Sequence, residues 1–445
     1  MNAPVSPPPS SSTTSAWPVM AIAVLGTGVL SGLGGTALSL LLHMIQHLAY
    51  GYGQPGGPHN FLQGVSAAPA WRRFAALCAA GVVAGVGWWA LGRFGRPLIS
   101  IAASVGKTGP GKPMPPFSTL VHVLLQIVTV ALGSPLGREV APRELGAVLA
   151  TATGRVLRLA ADDRRIIIAC GAGAGLAAVY NVPLGGALFI LEVLLAQVGQ
   201  RAVLCAVGAS AIGAFVPWAV LGNVHQYEIG PMVVTPAVMV WALCAGPVIG
   251  IGAHGAKRLA GLAQNRAARG VGRIGWCLVV FPLMGVLTCF YPQLPGNGRG
   301  PMQLALSAQL GMELAATLLV LKIIVIMGAL RAGAAGGLLT PSLTMGGLLA
   351  TVLATAWNLW LPLPGVDVGT TALLGGIAFL GTFMAMPLTA IALGIEFTHV
   401  GHDMWVPIFL TSAGALMAFR ICARADRVRV VQSQPHAPGS MSARS

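Results

Sequence analysis

The sequence predicts an all-α polytopic membrane protein whose two halves each carry half-spanning helices. Three observations predict it. Of 445 residues, 55% are hydrophobic and only 8% charged, with mean hydropathy +0.78, whereas soluble domains carry about 25% charged residues. Several apolar runs are about 20 residues long, enough to cross a bilayer, while others are short and cut by glycine or proline. Similar broken segments also recur in the second half of the chain.

Residues 1–16 are rich in Pro, Ser and Thr and lack a basic stretch, so they read as a disordered tail rather than a cleaved signal. Apolar runs then open near Trp17, Phe74, Phe117, Ile166, Val203, Pro236, Trp276, Leu314, Leu343, Ala372 and Trp405. The short, interrupted segments fall around Ile99–Pro116, Gly137–Gly154, Pro183–Val198 and Pro387–Val400. Such segments point to re-entrant helices, whose exposed N–H groups bind anions. Sixty glycines, about twice the usual share, suit close helix packing in lipid. The organisation expected is a first membrane repeat over 17–222, a second over 223–423, and a short polar tail over 424–445 with no cytosolic regulatory domain.

The formal charge of +15 reflects only 11 acidic residues as much as surplus bases. Basic residues gather between apolar runs, at Arg164 and Arg165, from Lys257 to Arg273, and from Arg420 to Arg429. The positive-inside rule makes these loops and the C-terminus cytoplasmic; the membrane expected is the cell's inner or plasma membrane. No basic stripe is interleaved with aromatics, so nucleic acid is not a partner. The seven cysteines lie singly without CxxC spacing and read as packed thiols. The nine histidines lack metal-ligand spacing, so neither a metal nor a cofactor is expected.

The repeat is specific. Asn181-Val-Pro-Leu-Gly-Gly-Ala-Leu-Phe-Ile-Leu-Glu192 resembles Ala385-Met-Pro-Leu-Thr-Ala-Ile-Ala-Leu-Gly-Ile-Glu396, each with a proline nine residues before a glutamate, at an offset of 204. Gly171 and Gly375 keep that offset, while Gly137–Pro142 parallels Gly336–Pro341 at 199. Two such halves indicate a duplicated transporter fold with its site at the pseudo-symmetric centre. At that centre Gly133-Ser-Pro-Leu-Gly-Arg-Glu-Val-Ala-Pro142 puts a carboxylate, Glu139, in a broken turn between apolar runs. A carboxylate in a first helical turn is stabilised by the macrodipole whether or not anything is transported. Beside an amide-lined site it would also act as a tethered anion competing with a mobile one.

In three places these residues resemble the CLC family of chloride channels and proton-coupled anion transporters. Gly137-Arg138-Glu139 with Pro142 resembles its GREGP gate motif, Gly171–Leu184 continuing to Glu192 its most recognisable helix pair, and Gly337-Leu-Leu-Thr-Pro341 its GxFxP segment. The resemblance implies a CLC-type inverted repeat of tilted and half-spanning helices in membrane lipid, a homodimer with one pore per subunit, and an anion held at helix N-termini. The implied ligands are Gly137, Arg138, Val140, Leu338 and Leu339, with Glu139 as the gate. The family's GSGIP loop corresponds to Gly106-Lys-Thr-Gly-Pro110, where either Lys107 or Thr108 takes the place of the anion-coordinating serine. Leu339 stands where an aromatic is common, and the C-terminal pore tyrosine has no counterpart, its place falling near Val428. The exchangers' internal proton glutamate aligns with Val193, next to Glu192, which is the pattern of the family's channels.

The function expected is transport of chloride or a similar small anion, channel-like or weakly proton-coupled. Displacement or protonation of Glu139 would open the path, making opening pH-sensitive. Glu192, nine residues into its helix, reads as structural, paired with a base or a helix terminus, and Glu396 likewise. Read from the residues alone, Arg138 braces the loop or neutralises nearby acids rather than binding the substrate; Arg143 and Glu144 either pair internally or flank the external entrance. A proton/anion antiporter using Glu192, or a transport-inactive relative, are the alternatives. An enzyme would need paired carboxylates, a metal cluster or a nucleophile with its base, and none is visible among the apolar runs.

Overall fold

The computed structural model describes residues 14–51, 60–106, 111–196, 198–223 and 226–433, with side chains to 426. They form seventeen α-helices, eight of them long and apolar enough to cross a membrane. In order these are α1 (Trp17–Tyr50), α2 (Phe61–Ala67), α3 (Ala70–Phe94), α4 (Ile101–Val105), α5 (Pro116–Ala131), α6 (Val140–Val156), α7 (Ala161–Tyr180), α8 (Pro183–Phe189) and α9 (Gln200–Leu221). The second half holds α10 (Pro236–Asn265), α11 (Val271–Phe290), α12 (Arg299–Leu306), α13 (Met312–Ala332), α14 (Leu339–Trp360), α15 (Val368–Met384), α16 (Pro387–Thr398) and α17 (Trp405–Ser433). Exposed apolar side chains along the long helices, such as Ile22, Leu33 and Leu48 on α1, present a surface suited to hydrocarbon.

Local chemistry sets the boundaries. Proline in the first turn opens α1, α5, α8, α10 and α16, where its missing N–H has no helical partner to lose. Thr235 and Asp367 cap α10 and α15 by accepting from Val238 N and Thr370 N. Left-handed Asn181 and Ala385, 204 residues apart, end α7 and α15 just before the prolines that start α8 and α16. Helix α17 runs on past Arg424 to Ser433.

Two helix crossings recur between the halves. Gly146 on α6 meets the backbone of Gly171 on α7 beside Ala150; Gly346 on α14 meets Gly375 on α15 beside Ala350. A Cβ at any of these glycines would run into the facing backbone or alanine, so only glycine lets the main chains approach so closely. These crossings bring the starts of α6 and α14 to the middle of the molecule, where the central site lies.

Candidate functional site

The loop between α5 and α6 is fixed by its backbone. Tyr50 Oη donates to Leu132 O at 2.9 Å, and Gly133, at φ +106°, accepts from Gly296 N at 3.0 Å. Gly137 then pairs with Gly337: Gly137 N donates to Gly337 O at 2.7 Å and Gly337 N to Gly137 O at 2.8 Å. The two broken segments are thus joined main chain to main chain. Past this bridge the halves differ. Helix α14 starts two residues after Gly337, α6 three residues after Gly137, so the first half carries one residue more. Pro142 and Pro341 show the same difference, lying five and four residues beyond their glycines.

Glu139 occupies this longer loop and is fully buried. It sits at the N-cap of α6, yet its side chain does not cap that helix. Oε1 accepts from Leu339 N, the first residue of α14, at 2.6 Å, and Oε2 accepts from Tyr180 Oη at 3.3 Å. A Cβ at Gly137 or Gly337 would collide with this carboxylate, so the paired glycines also make room for it. A charge-assisted bond from an otherwise orphaned N-terminal amide is the arrangement by which helix ends hold anions. The carboxylate of one half thus occupies the helix N-terminus of the other.

Gly137, Arg138, Glu139, Val140, Leu338 and Leu339 are all brought together around the bridge. The Arg138 guanidinium lies over the Tyr180 ring, 5.1 Å from its centroid. Beyond it opens a cavity of about 380 Å³ lined by Ser39, His43, Asn297 and Arg299 as well as Arg138 and Tyr180. Arg299 is held there by donating Nε to Gln226 O at 2.9 Å. Its walls are mixed, with Leu42, Phe61 and Trp218 among the polar groups and Glu228 as an acidic one, and the buried carboxylate itself does not line it. Lys107 and Thr108 lie outside the described residues, as does the side chain of Val428.

Glu192 and Val193 lie away from this centre. Helix α8 passes into a π-helical turn, Ile190–Leu195, from which Glu192 reaches the start of α16: Oε1 accepts from Leu388 N at 3.1 Å, and Oε2 from Thr389 N and Oγ1 at 2.7 and 2.6 Å. Reciprocally, Glu396 accepts from Leu184 N and Gly185 N at the start of α8, at 2.7 and 2.6 Å. Each glutamate caps the other's helix. Val193 is 39% exposed on the helix surface.

Arg143 and Glu144 adopt neither arrangement expected of them. Arg143 donates Nε to Glu139 O at 2.8 Å and lies over the Phe189 ring. Glu144 turns to α5, where its Oε2 accepts from Gln126 Nε2 at 3.1 Å with His122 Nε2 at 3.7 Å. Trp88 donates Nε1–H to His122 Nδ1 at 2.9 Å. Since Trp is donor only, it holds His122 as the neutral tautomer with N–H toward Glu144. Sequence reasoning passed over Tyr180 and Thr340, whose hydroxyls lie 3.0 Å apart beside Glu139. It also passed over Lys322, fully buried on α13 and donating to Leu294 O and Gly296 O at 2.9 and 2.6 Å. A lysine inside the apolar run of α13 was the available signal.

The family described as voltage gated chloride channel matches residues 80–420. The H(+)/Cl(-) exchange transporter ClcA of Cronobacter sakazakii is 28% identical over 302 residues, covering 65% of this chain and 64% of that protein. Its counterpart from Salmonella arizonae is 27% identical over 305 residues, covering 65% and 63%. The chain therefore aligns with slightly under two thirds of the length of these relatives. A slow cyanobacterial Cl-/H+ antiporter shares the fold with TM-score 0.78 at 18% identity, over 95% of this chain and 100% of that one. A CLC-type fluoride/proton antiporter follows with TM-score 0.65 at 17% identity, over 91% and 97%. With the family match covering most of its length and eight apolar helices of spanning size, the chain is a multi-pass integral membrane protein and belongs to the voltage-gated chloride channel, or CLC, family.

Proposed function

We propose that this protein carries chloride or a similar small anion across the membrane, through a pore in each subunit of a homodimer, with Glu139 as the gate. One observation carries the reading: the buried Glu139 carboxylate takes the Leu339 amide of the opposite half instead of capping its own helix. A tethered anion in an amide site blocks a mobile one until it is displaced or neutralised. The cavity forms a vestibule in which Arg138 and Arg299 outnumber Glu228, and this attracts anions to the outside of the plug. By the resemblance to the family, Lys107 or Thr108 supplies a further ligand.

Transport is channel-like or weakly proton-coupled. The position of the exchangers' internal acid is Val193, and the neighbouring Glu192 is engaged as a cap. A second reading, coupled proton/anion exchange, is favoured by Glu144, an intramembrane carboxylate that accepts from the neutral Gln126 amide, and by the exchange activity named for the relatives. Liposomes loaded with chloride, with anion efflux and internal pH recorded together, test both. Efflux without stoichiometric proton movement is expected; proton uptake in fixed ratio to efflux would replace the first reading with the second. No anion flux at all would remove both.

A further inference from the structure

Resting on the gate reading, we propose that the Tyr180 hydroxyl latches the Glu139 carboxylate and then serves as a ligand of the anion that replaces it. The carboxylate marks out the anion site through its two donors, Leu339 N–H on Oε1 and Tyr180 O–H on Oε2. Leu339 N belongs to α14, Tyr180 to the end of α7, and Glu139 to neither, so both donors stay in place when the side chain leaves.

The direction of the bonds follows from the inventory of donors. An ionised carboxylate only accepts, so the single Tyr180 proton points at Glu139, and Thr340 Oγ1, 3.0 Å away, must donate to the phenol oxygen. The chain runs Thr340 to Tyr180 to Glu139. A halide also only accepts, and it meets the same chain with no group needing to turn, which is preorganisation in the sense that matters for a transient occupant. Protonation of Glu139 changes the order. Its own O–H can then donate to the phenol, whose proton swings to Thr340. The bond that remains is neutral to neutral and roughly half as strong. The latch therefore holds the charged carboxylate and loosens on the neutral one.

The ring is held independently of its hydroxyl. Tyr180 is 3% exposed, Phe397 meets it edge-on with centroids 5.5 Å apart, and Arg138 covers a face. A cation over the ring draws density from the phenol and makes its O–H a better donor. Other charged or titratable groups near the carboxylate are Arg143 on α6 and Tyr227 against Phe397, with His43 on α1, Arg299 on α12 and Glu228 lining the same vestibule as Arg138. Helix α14 brings no ionisable side chain, only the Thr340 hydroxyl. One N–H and one O–H aimed at a point favour a compact, strongly accepting anion over a diffuse one such as thiocyanate.

Tyr180→Phe tests both roles, since the ring stays and the donor goes. In a Glu139→Ala background, where no carboxylate competes, chloride should bind about tenfold more weakly, the worth of one hydrogen bond to an anion, and preference over thiocyanate should fall. With Glu139 present, the rise of flux on acidification should begin at higher pH. Thr340→Val, which leaves the phenol but removes the group that orients it, should shift both readouts the same way by less, and it provides the measurement if the first variant misfolds. Unchanged chloride affinity, selectivity and pH profile in these variants would overturn the role of Tyr180 while leaving the gate intact. If Glu139→Ala alone left flux and its acid response untouched, the gate reading itself would fail.

Discussion

In a Glu192→Gln variant the first turn of α16 keeps one acceptor oxygen where it had two. The native carboxylate takes Leu388 N at 3.1 Å on Oε1, and both Thr389 N and Thr389 Oγ1, at 2.7 and 2.6 Å, on Oε2. Glutamine can keep the Thr389 pair on its carbonyl, but its NH₂ then confronts the Leu388 N–H, donor against donor. One bond to a charged acceptor, about 1.5–3 kcal/mol, is lost. The favourable charge at the helix N-terminus, about 0.3–1 kcal/mol, goes with it. Because the Leu388 amide lies at an exposed rim, the lower end applies, a net loss of about 2 kcal/mol. Glu396→Gln removes the mirror cap on α8, without a hydroxyl bond, and should cost slightly less. Nine residues of helix separate each glutamate from the start of its own helix, about 14 Å, so the double variant should cost the sum. Thermal denaturation in detergent reads these losses, and liposome assays read the ratio of proton to anion movement. Lowered stability with an unchanged ratio is expected. Abolished proton movement with wild-type stability would refute the capping argument and make Glu192 a proton carrier.

Three further outcomes follow from the packing. Lys322→Met leaves Leu294 O and Gly296 O without their donor; amide hydrogen exchange in the loop they occupy should accelerate, at a cost of about 1–3 kcal/mol per orphaned carbonyl. Gly375→Val drives a side chain into Ala350 and the Gly346 carbonyl, and Gly171→Val does the same to Ala150 and Gly146. Each should lose about 3 kcal/mol or more, seen as reduced recovery of monodisperse protein. Glu144→Leu strands the Gln126 amide and should destabilise by about 2 kcal/mol. Glu144→Gln should cost less, and a fall in its proton-to-anion ratio would support coupled exchange.

Most of the helical plan is legible in the sequence because hydropathy and proline positions act locally. The runs opening near Trp17, Pro236 and Trp405 coincide with α1, α10 and α17, and those near Phe74, Ile166 and Trp276 start within five residues of α3, α7 and α11. Helices α2 and α12 escape because their seven and eight residues lie outside the apolar runs and interrupted segments. The 204-residue offset between Glu192 and Glu396 foretells equivalence, but their exchange of caps needs α8 and α16 set antiparallel, which only the closed fold provides. For the same reason the contact of Tyr180 with Glu139, 41 residues earlier, has no local signature. The extra residue between Gly137 and α6 is hidden in the sequence as a change of offset from 200 to 199, and becomes meaningful once Gly137 is paired with Gly337. Arg143 and Glu144, adjacent and opposite in charge, invite pairing, yet their side chains leave the helix about 100° apart and find partners on different elements.

The most direct measurement is chloride flux through the Glu139→Ala protein reconstituted in liposomes, followed from acidic to alkaline pH beside the unmodified protein. With the plug removed, flux should be high and flat across that range, while the native protein should open only as the medium is acidified. A variant that still closes at alkaline pH with native flux would mean that something other than this carboxylate controls the path.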